Sequence, residues 1–527
     1  MTEVKKKSSF MKGALILMLF GLLSKVIGAI YRIPLTRVIG AEGMGLYQMV
    51  FPLYTLMLTI SSSGLPSSIS KLISENVAKN NYKQADRILK VSFVLLVCFS
   101  FVCSLVVVLG AGLFSGLQGN KDVTICYYGL APAVVFVGLI SGFRGYFQGL
   151  QNMTPSAVSG FFEQIFKMIF GLYLAGVFID KGVSYGVLGA LLGISISELC
   201  AFVYLFLHYL VARNKFKNKL ISGNEILETR AKTAKQILSL SFFVTLGGLI
   251  MPLTMLIDSG VVINILKSIG YSVSEATALF GLQTGTVGSI INMPVVLSLG
   301  VATAILPHVS AKKAKGDFEG VKKAASKAVS LAVIFALPSS VGCLTFAEPI
   351  IKLLYGRSLG MQEILVASRL LEVASISIFY LALVQVTSGL LQGLNKFYVP
   401  LISLASGGGV KIVLNLLLVR IPEINILGGE VASTACYMVA LFINLACLKK
   451  MGVIKLENKI FAVLFLSGAI YFSKLLFNWL LTFGLNYYLS LIFVVTFVII
   501  IYFVSIFLLY RHGLKDGKIY KSKIKKV

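Results

Sequence analysis

The sequence predicts an all-α integral membrane protein of about fourteen transmembrane helices, arranged as two six-helix lobes related by an internal repeat plus two C-terminal helices. Three observations predict it. The 527-residue chain is 57% hydrophobic and only 13% charged, about half the charged share of soluble domains. Apolar runs long enough to cross a bilayer follow one another along its whole length. And one segment echoes another: Gln148-Gly149-Leu150-Gln151-Asn152-Met153-Thr154-Pro155 returns as Gln392-Gly393-Leu394-Asn395-Lys396-Phe397-Tyr398-Val399-Pro400.

In both copies a lysine, Lys167 and Lys411, stands nineteen residues past the glutamine, inside an apolar run. A second match, 236 positions apart, pairs Gly64, Ser74, Ala78-Lys79 and Tyr82 with Gly300, Ser310, Ala314-Lys315 and Phe318. Two halves on one plan, each lodging a cation in a hydrophobic segment, is the build of many membrane carriers.

The expected spans are 13–39, 44–70, 88–114, 123–148, 155–179, 184–211, 234–264, 275–307, 324–347, 361–391, 398–419, 426–448, 459–481 and 486–510. They divide the chain into an N-lobe (1–211), a basic loop (212–233), a C-lobe (234–448), a final helix pair (449–510) and a basic tail (511–527). The N-terminus resembles a signal peptide, with Lys5-Lys6-Lys7 and Lys12 ahead of an apolar run. That run is too long for a signal h-region, so it reads as a retained first span.

The net charge of +27 comes from 48 basic and 21 acidic residues. The cations cluster between alternate spans: near the N-terminus, at 71–90, 213–235, 312–327, 449–459, and in the tail from Arg511. This is the positive-inside pattern, which places both termini in the cytoplasm of a multi-pass cell-membrane protein and needs no nucleic-acid partner. The stretches 79–90 and 312–327 read as amphipathic helices at the cytoplasmic surface. They serve first as topology signals that touch anionic lipid, with a dedicated binding site as the alternative.

Cys98, Cys103, Cys126, Cys200, Cys343, Cys436 and Cys447 are scattered, mostly in apolar runs, with no C-x-x-C pair, and act as small hydrophobes. Three histidines, none spaced with another His or Cys, provide no metal site. No P-loop, nucleophile elbow or H-E-x-x-H motif is present. The reading is therefore of no catalytic residues, no cofactor and no enzyme.

A charge at mid-bilayer costs at least ~2.5–3.5 kcal/mol, so each one must face protein or a wet cavity. The first span carries Lys25 and Arg32 on one face, with Gly28 between them. Lys25 has no acidic residue within two turns, which points to an anionic partner from outside the chain. Glu163 and Lys167 stand at i, i+4, either as a self-neutralised pair or as a ligand and its neighbour. Glu198, Asp258, Lys411 and Lys474 lie in later spans. Arg144 ends the fourth, and Arg369 with Glu372 reads as a local pair at the outer rim. Arg32 and Asp258 have a second reading as interfacial residues that snorkel.

These residues carry a family resemblance. Ser24-Lys25-Val26-Ile27-Gly28, Tyr31-Arg32-Ile33-Pro34-Leu35, Gly43-Met44-Gly45-Leu46-Tyr47-Gln48 and Gly64-Leu65-Pro66-Ser67-Ser68-Ile69-Ser70-Lys71 resemble the opening of the SpoVB/MurJ group of the MOP flippase superfamily. Arg144-Gly145-Tyr146-Phe147-Gln148-Gly149-Leu150-Gln151-Asn152-Met153-Thr154-Pro155 and Glu163-Gln164 continue it.

The resemblance implies alternating access around a cationic cavity and transport of the lipid-linked cell-wall precursor lipid II from the inner to the outer leaflet. It also implies a bacterial, Gram-positive cell membrane, with membrane lipids and cell-wall synthesis proteins as partners. Lys25 stands where the MurJ branch carries a cavity arginine. Ser289 stands where that branch has another, in the eighth span. The candidate substrate ligands are Lys25, Arg32, Lys167, Lys411, Arg144 and Gln48, and the coupling-ion candidates are Glu163, Glu198 and Asp258. Alternatives are another lipid-linked oligosaccharide (teichoic, capsular, exopolysaccharide or spore-cortex precursor), a MATE-like cation-coupled drug antiporter, and a non-transporting scaffold for wall synthesis.

Overall fold

The computed structural model describes the backbone of residues 2–221, 227–453 and 459–524. Side chains are described except at 1–15, 17–18, 212–226, 243, 454–462, 464 and 507–527. The 212–233 basic loop falls largely, and the 511–527 tail wholly, outside the described side chains.

The chain is all-helical. The helices are α1 (Thr2–Leu58), α2 (Leu65–Ala78), α3 (Tyr82–Leu117), α4 (Val123–Gly149), α5 (Thr154–Phe178), α6 (Val183–Ile221), α7 (Arg230–Ser268) and α8 (Val273–Gly281). They continue as α9 (Gly288–Ala314), α10 (Phe318–Thr345), α11 (Ala347–Tyr355), α12 (Met361–Gly393), α13 (Tyr398–Leu418), α14 (Leu427–Lys450), α15 (Lys459–Thr482) and α16 (Tyr487–Ile524). Two π-helical turns, Thr59–Ser63 and Leu282–Val287, join α1 to α2 and α8 to α9.

Among the described residues, twelve stretches are long and apolar enough to cross a membrane, so this is a multi-pass membrane protein. The first, Leu19–Ala78, holds two of the spans read from the sequence. They meet at Gly40, whose φ of 70° and ψ of −175° break the helix in a region that suits glycine. The span expected at 459–481 coincides with α15, although only part of α15 has described side chains.

Packing forms two compact bodies: residues 1–289 with 408–429, and residues 290–407 with 430–527. They partition the chain by contact, whereas the lobes 1–211 and 234–448 are a division we propose from the repeat. In the first body a core of Ile69, Ile73, Ile88, Phe147, Leu205 and Ile237 joins α2, α3, α4, α6 and α7. In the second, Val329, Leu390, Leu391, Ala440 and Tyr502 join α10, α12, α14 and α16.

The repeated sequence builds the same local structures twice. Gln151 and Asn395, 244 positions apart, both take φ 59°. Behind each, an N–H reaches back to an orphaned helix carbonyl: Asn152 to Phe147 at 2.9 Å and Lys396 to Leu391 at 2.9 Å. That is a left-handed helix stop.

Asn80 (φ 58°) and Gly316 (φ 70°), 236 apart, end α2 and α9 in the same way. Their successors then cap the next helix, Asn81 accepting from the Gln84 N–H at 2.9 Å and Asp317 from the Gly320 N–H at 2.7 Å. The helix crossings repeat too. A Cβ on Gly145 would stand 2.9 Å from the Pro66 carbonyl, and one on Gly389 2.7 Å from the Ala302 carbonyl.

Helices α1 and α8 meet at a self-complementary crossing. Gly45 lies against the Thr277 carbonyl, and Gly281, its counterpart 236 residues on, lies against the Ala41 carbonyl and the Gly45 backbone. At the same crossing Gln48 Nε2 donates to the carbonyl of Thr284, its own counterpart, at 3.0 Å. Two equivalent residues touch only where a local two-fold axis passes between them, the isologous arrangement of a symmetric dimer.

Candidate functional site

Helix α1 presents two different faces. Leu19, Leu23, Val26 and Ile30 recur at helical spacing and are each about half exposed, as lipid-facing residues are. Lys25 lies on the other side of the helix with Gly28 and Arg32. There α1 packs on α5: Ser24 Oγ donates to the Gly160 carbonyl at 3.2 Å, and a Cβ on Gly28 would stand 3.0 Å from Gln164 Oε1. Lys25 is exposed beside this contact and makes no hydrogen bond or ion pair among the described residues.

Gln164 leads to the charged centre of this body. Its Nε2 donates to Glu163 Oε1 at 3.0 Å, while Glu163 Oε2 accepts from Arg144 Nη2 at 2.9 Å. Arg144 Nε also donates to Ser159 Oγ at 3.3 Å. The pair that the i, i+4 spacing suggested is therefore not formed, because the end of α4 brings Arg144 to the same carboxylate.

Lys167 faces aromatic rings instead. Its Nζ lies 5.5 Å from the Tyr31 ring centroid and 5.4 Å from that of Phe51. Such contacts offset part of a cation's desolvation, about 0.5–2 kcal/mol each, without neutralising its charge.

The buried Glu198 on α6 completes the group, lying against Glu163 and within the field of Arg144 and Lys167. A close crossing sets this position. Gly193 on α6 lies on the backbone of Gly171 on α5, leaving no room for a Cβ. Successive turns of these antiparallel helices then bring Glu198 opposite Lys167. The Tyr31 ring is fully buried, and its hydroxyl lies against Gly171 and has no hydrogen-bond partner among the described residues.

The other candidates fall elsewhere in the same body. Arg32 Nη1 donates to Ser289 Oγ at 3.2 Å, so this cation is engaged by a protein hydroxyl. Asp258 is buried. It pairs with Lys411 at 2.7 Å and accepts a second bond from Asn415 Nδ2.

Gln48 is committed to the Thr284 carbonyl at the α1–α8 crossing. Arg369 and Glu372 form no ion pair among the described residues. The sequence reading missed Tyr31, Phe51 and Asn415. Asn415 stands one helical turn past Lys411 on the same face, the one signal that pointed to it.

Known proteins share this architecture. Residues 10–273 match the family model described as Polysaccharide biosynthesis protein, and residues 281–417 match the MatE model. The chain belongs to the polysaccharide biosynthesis protein family.

Relatives in Bacillus subtilis (strain 168) resemble it along most of their length. "Stage V sporulation protein B" is 26% identical over 464 residues, covering 87% of each chain. "Lipid II flippase MurJ" is 25% identical over 509 residues, covering 91% of this chain and 90% of the relative. Among solved structures, "Lipid II flippase MurJ, inward closed conformation" aligns over 95% of this chain and all of its own with a TM-score of 0.72 at 15% identity. An inward-facing MATE transporter of the MOP superfamily covers 84% of this chain and 95% of its own, with a TM-score of 0.66. This polysaccharide biosynthesis family member is thus a multi-pass membrane protein with the fold of these solved transporters.

Proposed function

We propose that the chain is a flippase that moves an undecaprenyl-pyrophosphate-linked peptidoglycan precursor, lipid II, from the inner to the outer leaflet by alternating access. One asymmetry carries this reading. The echoed lysines, Lys167 and Lys411, have opposite surroundings: Lys411 is neutralised by Asp258, while Lys167 is caged by rings with no carboxylate in ion-pair range among the described residues.

With Lys25, which makes no ion pair among the described residues, the N-terminal half presents two cations that no ion pair holds, although Glu198 stands opposite Lys167. A pyrophosphate is the group such cations hold, through charge-assisted hydrogen bonds that strengthen away from bulk water. The name of the Bacillus subtilis relative with 25% identity supports the choice of lipid II.

No ATP-binding motif is present. If the termini face the cytoplasm, as the positive-inside pattern implies, a membrane potential negative inside favours outward movement of an anionic headgroup by ~2.3 kcal/mol per charge per 100 mV. Glu198 is the carboxylate best placed to couple a cation as well, since Glu163 and Asp258 are each engaged by a basic side chain.

The test has two parts. A strain depleted of its lipid II flippase should grow when this chain is expressed, with lipid II headgroups becoming accessible outside. In liposomes the purified protein should move a pyrophosphate-linked lipid without nucleotide, faster towards the positive side. Failure to complement, with transport of a different lipid-linked saccharide, would reassign the substrate. Drug export driven by a sodium or proton gradient, with no lipid movement, would favour the antiporter reading that the MatE match motivates.

A further inference from the structure

A cleft of about 450 Å³ opens where α3 and α7 begin, lined by Lys83, Asp86, Arg87, Lys90, Arg230 and a floor of Val91, Val94 and Leu227. We propose that this cleft is a binding site for an anionic phospholipid, with the phosphate among its cations and one acyl chain along α3. The proposal is independent of what the protein transports.

The site is built rather than a chance gathering of surface lysines. Gln84, buried beneath the cleft, donates from Nε2 to Thr233 Oγ1 at 3.2 Å and accepts at Oε1 from the Glu228 N–H at 3.2 Å. Those two bonds fasten the start of α7 to α3. Arg87 Nη1 donates to the Glu228 carbonyl, which fixes the guanidinium in the lining of the cleft. Thr229 caps α7 by accepting from the Lys232 N–H at 3.4 Å.

Charge and shape both fit a lipid headgroup. Four cations face one carboxylate, Asp86, which is itself bound to Lys90 at 2.6 Å. Glu228, an acid at the start of α7, is occupied by Lys232 at 2.7 Å. The lining therefore keeps a positive excess in a volume within the range of small-ligand sites. Arginine forks and ammonium groups are the usual partners of phosphate.

The acyl chain is argued from helical spacing. Lys83, Arg87 and Lys90 lie on one stripe of α3, and the same stripe continues at i+3 and i+4 steps through Val94, Val97, Phe101 and Leu105. These four apolar side chains are 64%, 43%, 60% and 45% exposed. A ligand with a phosphate at one end and a hydrocarbon chain at the other matches this order; a soluble phosphate would leave the apolar stripe unused. The cleft lies on the cation-rich side that the positive-inside rule assigns to the cytoplasm, where anionic lipids concentrate.

The test uses the purified full-length chain in detergent, titrated with phosphatidylglycerol or phosphatidylcholine, with bound lipid counted by native mass spectrometry. Phosphatidylglycerol should be retained in preference to phosphatidylcholine. Arg87→Gln with Arg230→Gln should weaken its retention about thirtyfold, at ~1 kcal/mol per cation near the membrane surface. The control Lys322→Gln with Lys323→Gln, on α10, should change it less than about threefold. Equal losses in the two double variants would reduce the effect to general surface charge and overturn the proposal.

Two further variants keep the test informative should loss of the Arg87 bond unfold the turn. Arg230→Gln alone breaks no bond among the described residues and should still cost about fivefold. Val94→Gln keeps every charge and should also weaken retention; no change there would remove the acyl-chain assignment. Full displacement of the lipid by millimolar glycerol phosphate would reassign the cleft to soluble phosphates.

Discussion

The carboxylate of Glu163 is bound to Arg144 at 2.9 Å and so is withheld from Lys167, one turn further along the same helix. This arrangement separates two jobs that a single i, i+4 pair would have merged. Arg144 and Glu163 tie the end of α4 to α5, and Lys167 is left beside the rings of Tyr31 and Phe51.

The first prediction follows from that division. Glu163→Gln leaves Arg144 half-buried without its counter-ion and should lower protein abundance. A fully buried pair broken on one side costs ~3–5 kcal/mol; partial exposure here reduces this to about 1–3 kcal/mol. Arg144→Gln combined with Glu163→Gln should recover most of the loss. Measuring protein level in membranes checks it, and a double variant less abundant than either single one would contradict the tie.

Lys167 should behave differently. Lys167→Gln removes a half-buried cation that lies outside ion-pair range of any carboxylate among the described residues, so abundance should hold while transport falls at least tenfold. Tyr31→Leu and Phe51→Leu each remove one ring from the ammonium, worth about 0.5–2 kcal/mol. They should weaken substrate affinity more than they lower the maximal rate. Normal transport by Lys167→Gln in liposomes would return this lysine to a structural role.

How much of this was legible in the sequence depends on how local each feature is. The echo at Gln148 and Gln392 turned out to encode a helix stop, because φ near 59° at Gln151 and Asn395 is a property of a few adjacent residues. The break between the first two spans was legible for the same reason, since it falls on Gly40. Charge pairing was not. Lys411 finds Asp258 across 153 positions, and Glu163 prefers a partner on another helix to one on its own. Periodicity places a side chain on a face of its helix, but only helix packing decides what that face meets. Gly171 and Gly193 show the gap: both were visible as small residues, yet only their mutual contact brings Glu198 towards Lys167.

The Asp258–Lys411 pair supplies the third prediction. Both side chains are largely buried and Asn415 adds a bond to the same carboxylate. Lys411→Met should strand a buried carboxylate at a cost of ~3–5 kcal/mol and deplete the protein. Lys411→Met with Asp258→Leu replaces the pair by apolar groups, which is often neutral or stabilising, and should restore abundance. Transport then decides the role of the pair. Full activity of the double variant would mark it as scaffolding, whereas loss with normal abundance would make Lys411 or Asp258 part of the transport cycle.

The last prediction concerns the crossing of α1 and α8, where Gly45 and Gly281 let two backbones touch around a local two-fold axis. A methyl group on either glycine collides with main-chain atoms, which have no rotamer to yield. Gly45→Ala and Gly281→Ala should each therefore cost about 1–3 kcal/mol, as overpacked contacts do. The two substitutions push apart the same pair of helices, so once the first has opened the crossing, the second has less left to disturb. Their combined cost should fall short of the sum, the expected failure of additivity for residues in contact.

Gly112→Ala on α3 is the control, since a Cβ there meets nothing within 4 Å. It should be neutral or stabilise its helix by up to ~1 kcal/mol. Thermal unfolding of the purified variants reads all four. Strict additivity of the two crossing variants, or a Gly112→Ala loss as large as theirs, would show that the glycines do not act through one shared contact.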